Sequence, residues 1–432
     1  GWPHAVRDAV MARKQNIFTG IDIGTETVKT VIAAVADDGS IDMLGFAEVP
    51  SEKVVKGEAQ SGRIVTEQTA MALDMACQNA GFDELPGTVA FVLSGGYVIP
   101  RIVRRTTAIP ENQPITGEIV EKLMHDSYDD VPDDPEGDEV VLSMFTNRCF
   151  ELEGKPFVFN PNGQYSPYLA VETRCLFAET YTGQLVGSIV KDATQNHNYE
   201  TIYAPIAIAS AVIRPQSNSE IHGMVIELGA GMTSIAMPTT YGYLVCEQLA
   251  LGCDHIANDL DIGLDLQNIA TARSIVRNMG PLRLSAVATH DGRSRMVSIA
   301  SGGGGEPRMI PADAIETIIE ARLDEIFETI NNRLKADGSQ QFLGNAVLLS
   351  GGGALIPGAT EIASRRLNRP VHVAAAYDVT DSSTIFKAGP RYNMVLGAIR
   401  AAWREREQRE ERRDRHGVAG AVWRCIKSVF VD

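Results

Sequence analysis

Basic charge, cysteine and long apolar runs are all in short supply in this 432-residue chain. Lys and Arg number 39 against 55 Asp and Glu, giving a formal charge of −16 and a sequence pI near 5.0. A protein that drew its affinity from neutralising a phosphate backbone would show the opposite balance, so a general nucleic-acid binder is excluded. Six cysteines occur (Cys77, Cys149, Cys175, Cys246, Cys253, Cys425), with no C-x-x-C and no histidine at metal-ligand spacing. Neither a disulfide framework nor a zinc site is indicated, and a reducing, cytoplasmic setting is expected. The longest apolar run, Ile202 to Ile213, falls well short of the ~20 residues that a membrane-spanning helix needs. His4, Arg7, Asp8, Arg13 and Lys14 interrupt the first eighteen residues, which rules out the apolar core of a signal peptide. The chain opens on Gly1, so an initiating methionine is expected upstream.

What remains is ordinary globular material, 44% hydrophobic and 22% charged, long enough for about three compact units at ~100–200 residues each. Charge is uneven along it. Residues 401–432 hold eight Lys or Arg and six acids, a net +2 on a body of −18, which marks the C-terminal stretch as a separate piece.

Asn16 to Ala36 is β-branched and apolar on both sides of Asp22-Ile23-Gly24-Thr25, the pattern of a β-hairpin with a glycine at its turn. Asp42–Val49 reads as a third strand. Glu67–Gly81 is a helix by the spacing of Ala70, Leu73, Cys77 and Ala80 and by its glycine stop, and Thr88–Leu93 is a buried strand ahead of Ser94-Gly95-Gly96. From about Tyr97 to Arg174 prolines become frequent and an acidic run covers Asp129–Glu139, as expected of an inserted small α/β subdomain. A helix over Gly183–Ala193 follows, then an apolar helix over Ile202–Ile213 with Pro205 in its first turn. At Met224–Ala236 the hairpin pattern returns around Gly229-Ala230-Gly231, an internal repeat that predicts two halves of one fold made by duplication. Asp254–Gly280 reads helical, Ser301–Gly305 is a glycine loop, and Ala312–Leu334 carries one apolar stripe. Ala346–Leu349 is a strand ending at Ser350-Gly351-Gly352-Gly353. Trp403 is expected to cap the helix before it, and Arg404–Arg415 to be a solvated helix or tether with Glu405 and Arg409 paired at i,i+4.

Three glycine turns carry the candidate chemistry: Asp22-x-Gly24-Thr25, Gly229-x-Gly231-x-Thr233 and Ser350-Gly351-Gly352-Gly353-x-x-x-Pro357-Gly358. Backbone N–H groups on such turns reach phosphate oxygens only where no Cβ intervenes, and a hydroxyl after the glycine adds a donor. Two of them facing each other would clamp a polyphosphate, and the third would let a nucleoside lie against the backbone. At 100° per residue Val418, Val422, Ile426, Val429 and Phe430 share one face, Trp423 stands at its edge and Arg424 and Lys427 lie largely elsewhere. That is the composition of an interfacial helix on an anionic membrane. His255 is read as structural, Cys425 as unmodified, and the acidic run as a solvated loop.

The order of these turns resembles the superfamily of actin, the DnaK-type chaperones and sugar kinases, and the details resemble the FtsA family of bacterial division proteins. Gly252-Cys253-Asp254-His255-Ile256-Ala257-Asn258-Asp259 is similar to that family's G-G-D-H-I-T-N-D, and Ile318-Ile319-Glu320-Ala321-Arg322-x-x-Glu325-Ile326 to its I-I-x-x-R-x-x-E-I. The insertion lies where FtsA-like proteins carry their distinctive subdomain, and the resemblance covers roughly 17–400 plus the C-terminus.

The resemblance implies an actin-like two-domain α/β fold with duplicated ribonuclease-H-like cores. Its expected divisions are an extension (1–16), a first-domain core (17–96 and 179–218) around the insertion (97–178), and a second-domain core (219–253 and 336–375) around a smaller subdomain (254–335). A return to the first domain (376–402), a charged linker (403–416) and an amphipathic membrane helix (417–432) complete it. It further implies ATP held by Asp22, Gly24, Thr25, Lys29, Glu227, Gly229, Gly231, Met232, Thr233, Gly351, Gly352 and Gly353, with Mg2+ bound through water by Asp22 and Glu227. Arg277 stands one register along from the family's adenosine-contacting lysine, while Arg273 and Val276 occupy the usual positions of its acid and lysine. Ala204-Pro205 stands where the family has Glu-Pro to orient the attacking water, so hydrolysis is expected to be slow or absent. Implied partners are the FtsZ C-terminal peptide, further copies in filaments, other divisome proteins and anionic lipids, at the division site on the cytoplasmic face of the inner membrane. Rival readings are a PilM-like component of a pilus or secretion machine, which would lack the terminal helix, and a sugar kinase or phosphatase, which would need a cleft carboxylate that Ala204 does not supply. A chaperone would need a substrate domain beyond residue 400.

Overall fold

The computed structural model describes residues 16–128, 139–195, 198–215, 219–279, 287–288, 295–299, 307–381 and 389–416. The acidic run, the Ser301–Gly305 loop and the expected membrane residues Val418, Val422, Trp423, Arg424, Ile426, Lys427, Val429 and Phe430 lie outside the described residues, apart from Glu139 at the end of the run.

In chain order the first half consists of β1 (Ile17–Ile23), β2 (Thr27–Val35), β3 (Ile41–Pro50), the short hairpin β4 (Val54–Val55) and β5 (Glu58–Ala59), α1 (Gly62–Ala80) and β6 (Thr88–Leu93). The insertion adds β7 (Ile99–Ala108), α2 (Gly117–Tyr128), β8 (Glu139–Leu152), β9 (Lys155–Val158) and β10 (Tyr168–Glu179). α3 (Thr180–Ala193), β11 (Tyr199–Tyr203) and α4 (Ala204–Val212) close this half. The second half runs β12 (Met224–Leu228), β13 (Thr233–Thr239), β14 (Gly242–Leu249), α5 (Cys253–Gly263), α6 (Ile269–Arg277), β15 (Val287–Ala288), β16 (Arg295–Ile299) and β17 (Arg308–Pro311). It continues with α7 (Ala312–Ala336), β18 (Val347–Ser350), α8 (Ala359–Leu367), β19 (Val371–Val373), β20 (Val379–Asp381) and α9 (Asn393–His416).

Two sheets repeat one strand order. The first is β3-β2-β1-β6-β11, with β20 added in parallel beside β3; the second is β14-β13-β12-β18-β19. In each, the first three strands are antiparallel neighbours and the inner hairpin strand pairs in parallel with the strand that follows a helix. Period-2 alternation of Val, Ile and Thr forms these strands, and their two-sided burial follows from helices packed on both faces. The insertion's strands β8, β10 and β7 extend the second sheet, joined to β14 by pairing at Gly242 and Asn147.

Helix ends follow local chemistry. Gly81 takes the left-handed conformation after α1, and Asn268 caps α6 by accepting from the Ala270 and Thr271 N–H groups. Ile315, Ile319, Leu323, Ile326, Phe327, Ile330 and Leu334 of α7 are buried in the second-half core, so the apolar stripe is a packing face. Where α9 crosses α4, a Cβ at Gly397 would collide with the Ala207 carbonyl, so only glycine allows that approach.

Four local expectations are corrected. Ile202 and Tyr203 end strand β11, and the helix begins at Ala204, because the Pro205 ring suits a first turn and the β-branched residues before it pair with β6. Asp254–Gly280 divides into α5 and α6 at a turn in which Asp265 and Gln267 take positive φ. Residues 403–416 continue α9, the helical one of the two alternatives, and the stretch 404–409 docks on the body in place of standing free in solvent. Arg404 donates to the Tyr377 hydroxyl (2.7 Å), the Arg406 guanidinium lies over the Phe18 ring (4.9 Å), and Arg409 grips Glu200 with two bonds of 2.7 and 3.0 Å. Trp403 packs against Gly39 from inside the helix instead of capping it. The i,i+4 pair of Glu405 and Arg409 is present at 3.3 Å.

Candidate functional site

The two long hairpins turn in the same way. Gly24 N–H donates to the Thr27 carbonyl at 3.1 Å, and Gly229 N–H to the Met232 carbonyl at 3.0 Å. Two residues before each glycine stands an acid. Asp22 lies opposite Lys29 on β2, with 3.9 Å between charged atoms, whereas Glu227 lies opposite Ser234 on β13. Burial raises the Asp22 carboxyl above its ordinary range, with Lys29 opposing the rise. Glu227 makes no ion pair among the described residues, and burial, then the charge of Asp22, push it up to about 8 against the pull of Lys29.

The tips of the turns approach each other from the two halves. A Cβ at Gly231 would clash with the Thr25 hydroxyl and lie 2.9 Å from the Lys56 Cα, so glycine is what lets the turns close. The Thr25 hydroxyl accepts the Gly57 N–H at 3.1 Å. Thr233 was expected to offer a hydroxyl to the cleft. It is buried and donates instead to the Leu251 carbonyl at 2.8 Å, tying down the strand after the turn. Met232 is buried beside it. The carbonyls of Gly229 and Ala230 receive the Cys253 and Asp254 N–H groups from the start of α5 at 3.0 and 2.8 Å. The third glycine segment lies flush on the second hairpin: a Cβ at Gly351 would strike Glu227 and the Leu228 carbonyl, and one at Gly353 the Leu228 side chain and Cys253 Sγ.

Beside these turns opens a cleft of about 360 Å³, within the ~300–1,000 Å³ range of small-ligand sites. Gly229, Ala230, Gly352 and Gly353 form backbone walls, and Val276, Leu355 and Ile356 add apolar surface. Arg273 makes a two-pronged pair with Asp254 (2.9 and 2.8 Å), and Arg277 reaches Glu26 of the first turn at 3.1 Å, an ion pair across the mouth. Burial pushes the Cys253 thiol far above its usual range, so it lines the cleft as an inert group. Ala204 is fully buried in the first turn of α4 and brings no polar atom.

The structure therefore brings Thr25 and Gly231 together at the tips of the two turns, with Asp22, Lys29 and Glu227 on the strands behind them, and lines the adjoining cleft with Gly229, Gly352, Gly353 and Arg277, while Gly351 packs against Glu227 and Leu228. Sequence reasoning missed Glu26, Asp254 and Gln248. Gln248 on β14 ties the halves together: its amide donates to Ser94 Oγ (2.8 Å) and Ser234 Oγ (3.1 Å) and accepts the Gly95 N–H at 3.2 Å. The likeness of Ser94-Gly95-Gly96 to Ser350-Gly351-Gly352, each closing a central strand, is the signal that would have found this contact. Among the described residues no group of three or more His, Cys, Asp and Glu side chains forms a metal cage.

Two halves of one strand order, meeting at paired glycine turns beside a cleft, define an actin-like fold. Over 90% of this chain and 98% of the other, the fold is similar to a solved structure titled "PilM-PilN type IV pilus biogenesis complex", with a TM-score of 0.58 and 15% identity. In sequence, residues 224–397 match the family model "FtsA: Cell division protein FtsA". The Cell division protein FtsA of Pseudomonas aeruginosa is 21% identical over 89% of this chain and 88% of its own length. That of Bacillus subtilis is 24% identical over 90% and 84%. The chain is thus similar to the FtsA family of cell-division proteins, by the family model over residues 224–397 and by these relatives over about nine tenths of its length.

Proposed function

We propose that this protein binds ATP between its halves, polymerises, and tethers FtsZ filaments to the cytoplasmic face of the inner membrane at the division site, where it recruits other divisome proteins. The observation that carries the nucleotide reading is the meeting of two glycine turns with the same backbone bond, each preceded by a half-buried acid, at the end of a backbone-walled cleft. Polyphosphate lies between the turns, the nucleoside in the cleft beside Arg277 and Leu355. Magnesium keeps most of its waters and binds through one or two carboxylates plus phosphate oxygens. Asp22 suits that role as an outer partner, Glu227 would join it where the ion's charge draws off the proton that burial holds on its carboxyl, and the ion would supply charge neutralisation at the phosphates. Lys29 holds the Asp22 carboxylate in place from across the hairpin. With alanine at 204 nothing there orients a water, so turnover is weak and the nucleotide acts mainly as a structural ligand. The FtsZ peptide is assigned to the 254–335 subdomain, and anionic lipids to the helix over 417–432.

The test is co-sedimentation with anionic vesicles of the full chain and of a chain ending at Arg415, each with and without ATP. Pelleting of the full chain alone supports the tether, and an ATP requirement supports coupled polymerisation. If both stay in the supernatant the membrane reading is lost. The PilM-like fold match then favours a second reading, a cytoplasmic component of a pilus or secretion machine.

A further inference from the structure

The contact between the two glycine turns is joined by a third element that the nucleotide reading leaves without a role. The tip of the β4–β5 hairpin, Lys56-Gly57, stands against both turns at once. Gly57 N–H donates to Thr25 Oγ1 of the first turn, and the backbone N and Cα of Lys56 lie where a side chain on Gly231 of the second would go. The Lys56 carbonyl accepts the Gly96 N–H at 3.0 Å, and a Cβ on Gly57 would collide with Ser94 and Gly95, so the tip is also pinned to the end of β6. The hairpin is held in an uncommon backbone shape: Lys53, Lys56 and Gly57 have φ of 59°, 49° and 76°. Positive φ on a lysine persists only where the surroundings over-determine it, and such residues cluster at ligand clamps. The Lys56 side chain is exposed, and its ammonium makes no ion pair among the described residues, while Lys29 on β2 faces Asp22.

We infer that Lys56 is a phosphate-binding residue, delivered by the β4–β5 tip to the polyphosphate of a nucleotide lying between the Gly24 and Gly231 turns. This rests on the nucleotide reading. The backbone of the tip is fixed by both halves, and the flexible four-carbon stem carries a compact charge to the terminal phosphates. The residue thereby senses phosphate number, and the nucleoside cleft, on the far side of Gly229 and Ala230, is indifferent to it.

The experiment measures affinities of the full chain for ATP, ADP and adenosine by calorimetry, for wild type, Lys56→Gln and Lys53→Gln. Lys56→Gln is expected to weaken ATP about tenfold, as loss of one charge-assisted bond does, to weaken ADP less, and to leave adenosine unchanged. Lys53→Gln, an exposed lysine on the same hairpin, should bind all three like wild type. Unchanged ATP affinity in Lys56→Gln overturns the inference with the nucleotide reading intact, and so does an equal loss for ATP and adenosine, which would report a disturbed fold. Failure of wild type to bind any of the three overturns the nucleotide reading itself.

Discussion

Asp22 faces a lysine across its hairpin and Glu227 faces a serine, and much of the difference between the two sides of the cleft follows from that exchange. The first turn keeps a charge pair, and its Thr25 hydroxyl bonds the neighbouring β4–β5 tip. The second turn has its carbonyls capped by the N–H groups of α5, its threonine hydroxyl tied to Leu251, and a carboxyl that holds its proton into the neutral range. Duplication preserved the backbone path and divided the chemistry: one side of the gap is ionic, the other is stiff and close to neutral.

The difference in space between the turns should break hardest. Position 26 of the first turn carries a glutamate, whereas its counterpart in the second, Gly231, has no room for a side chain. Gly231→Val should cost about 3 kcal/mol in urea unfolding, the upper end of overpacking penalties, and should hold the halves apart enough to lose nucleotide binding. The charge difference should show next. A carboxyl raised from its ordinary value of 4.5 to about 8 leaves the folded state with more bound protons than the unfolded one between those limits. Stability should therefore fall as pH rises from about 4.5 to 8, by on the order of 2 kcal/mol for this half-buried group. Glu227→Gln should flatten that slope when unfolding is followed at several pH values. The smallest effect belongs to the ion pair between Glu26 and Arg277, whose side chains are 28% and 51% exposed. Glu26→Gln should change thermal stability by less than about 0.5 kcal/mol, because solvent screens the pair.

Much of this arrangement was legible in the chain. The hairpin repeat at 17–36 and 224–236, the stripe on α7 and the three glycine turns all rest on local signals: side-chain period, β-branching, and the need for glycine where backbone must come close. The helix and the Glu405–Arg409 pair at the end of α9 were legible, but the docking of 404–409 was not, for a physical reason. A run of alternating charges looks solvated when each residue is judged against its sequence neighbours, yet Arg404, Arg406 and Arg409 meet Tyr377, Phe18 and Glu200, none of them near in sequence. Thr233 misled in the same way, since nothing in Gly231-x-Thr233 reveals that the Leu251 carbonyl waits beside the hydroxyl.

Composition and short-range pattern therefore settled where the chain turns, which faces are apolar and that one unit occurs twice, because those properties depend on residues a few positions apart. Folding decided that the insertion's strands would extend the second sheet, that Gln248 would bridge the halves, and that Glu227 would keep a proton while Asp22 keeps a lysine. Burial, pairing and charge state belong to surfaces that meet only when distant segments are brought together.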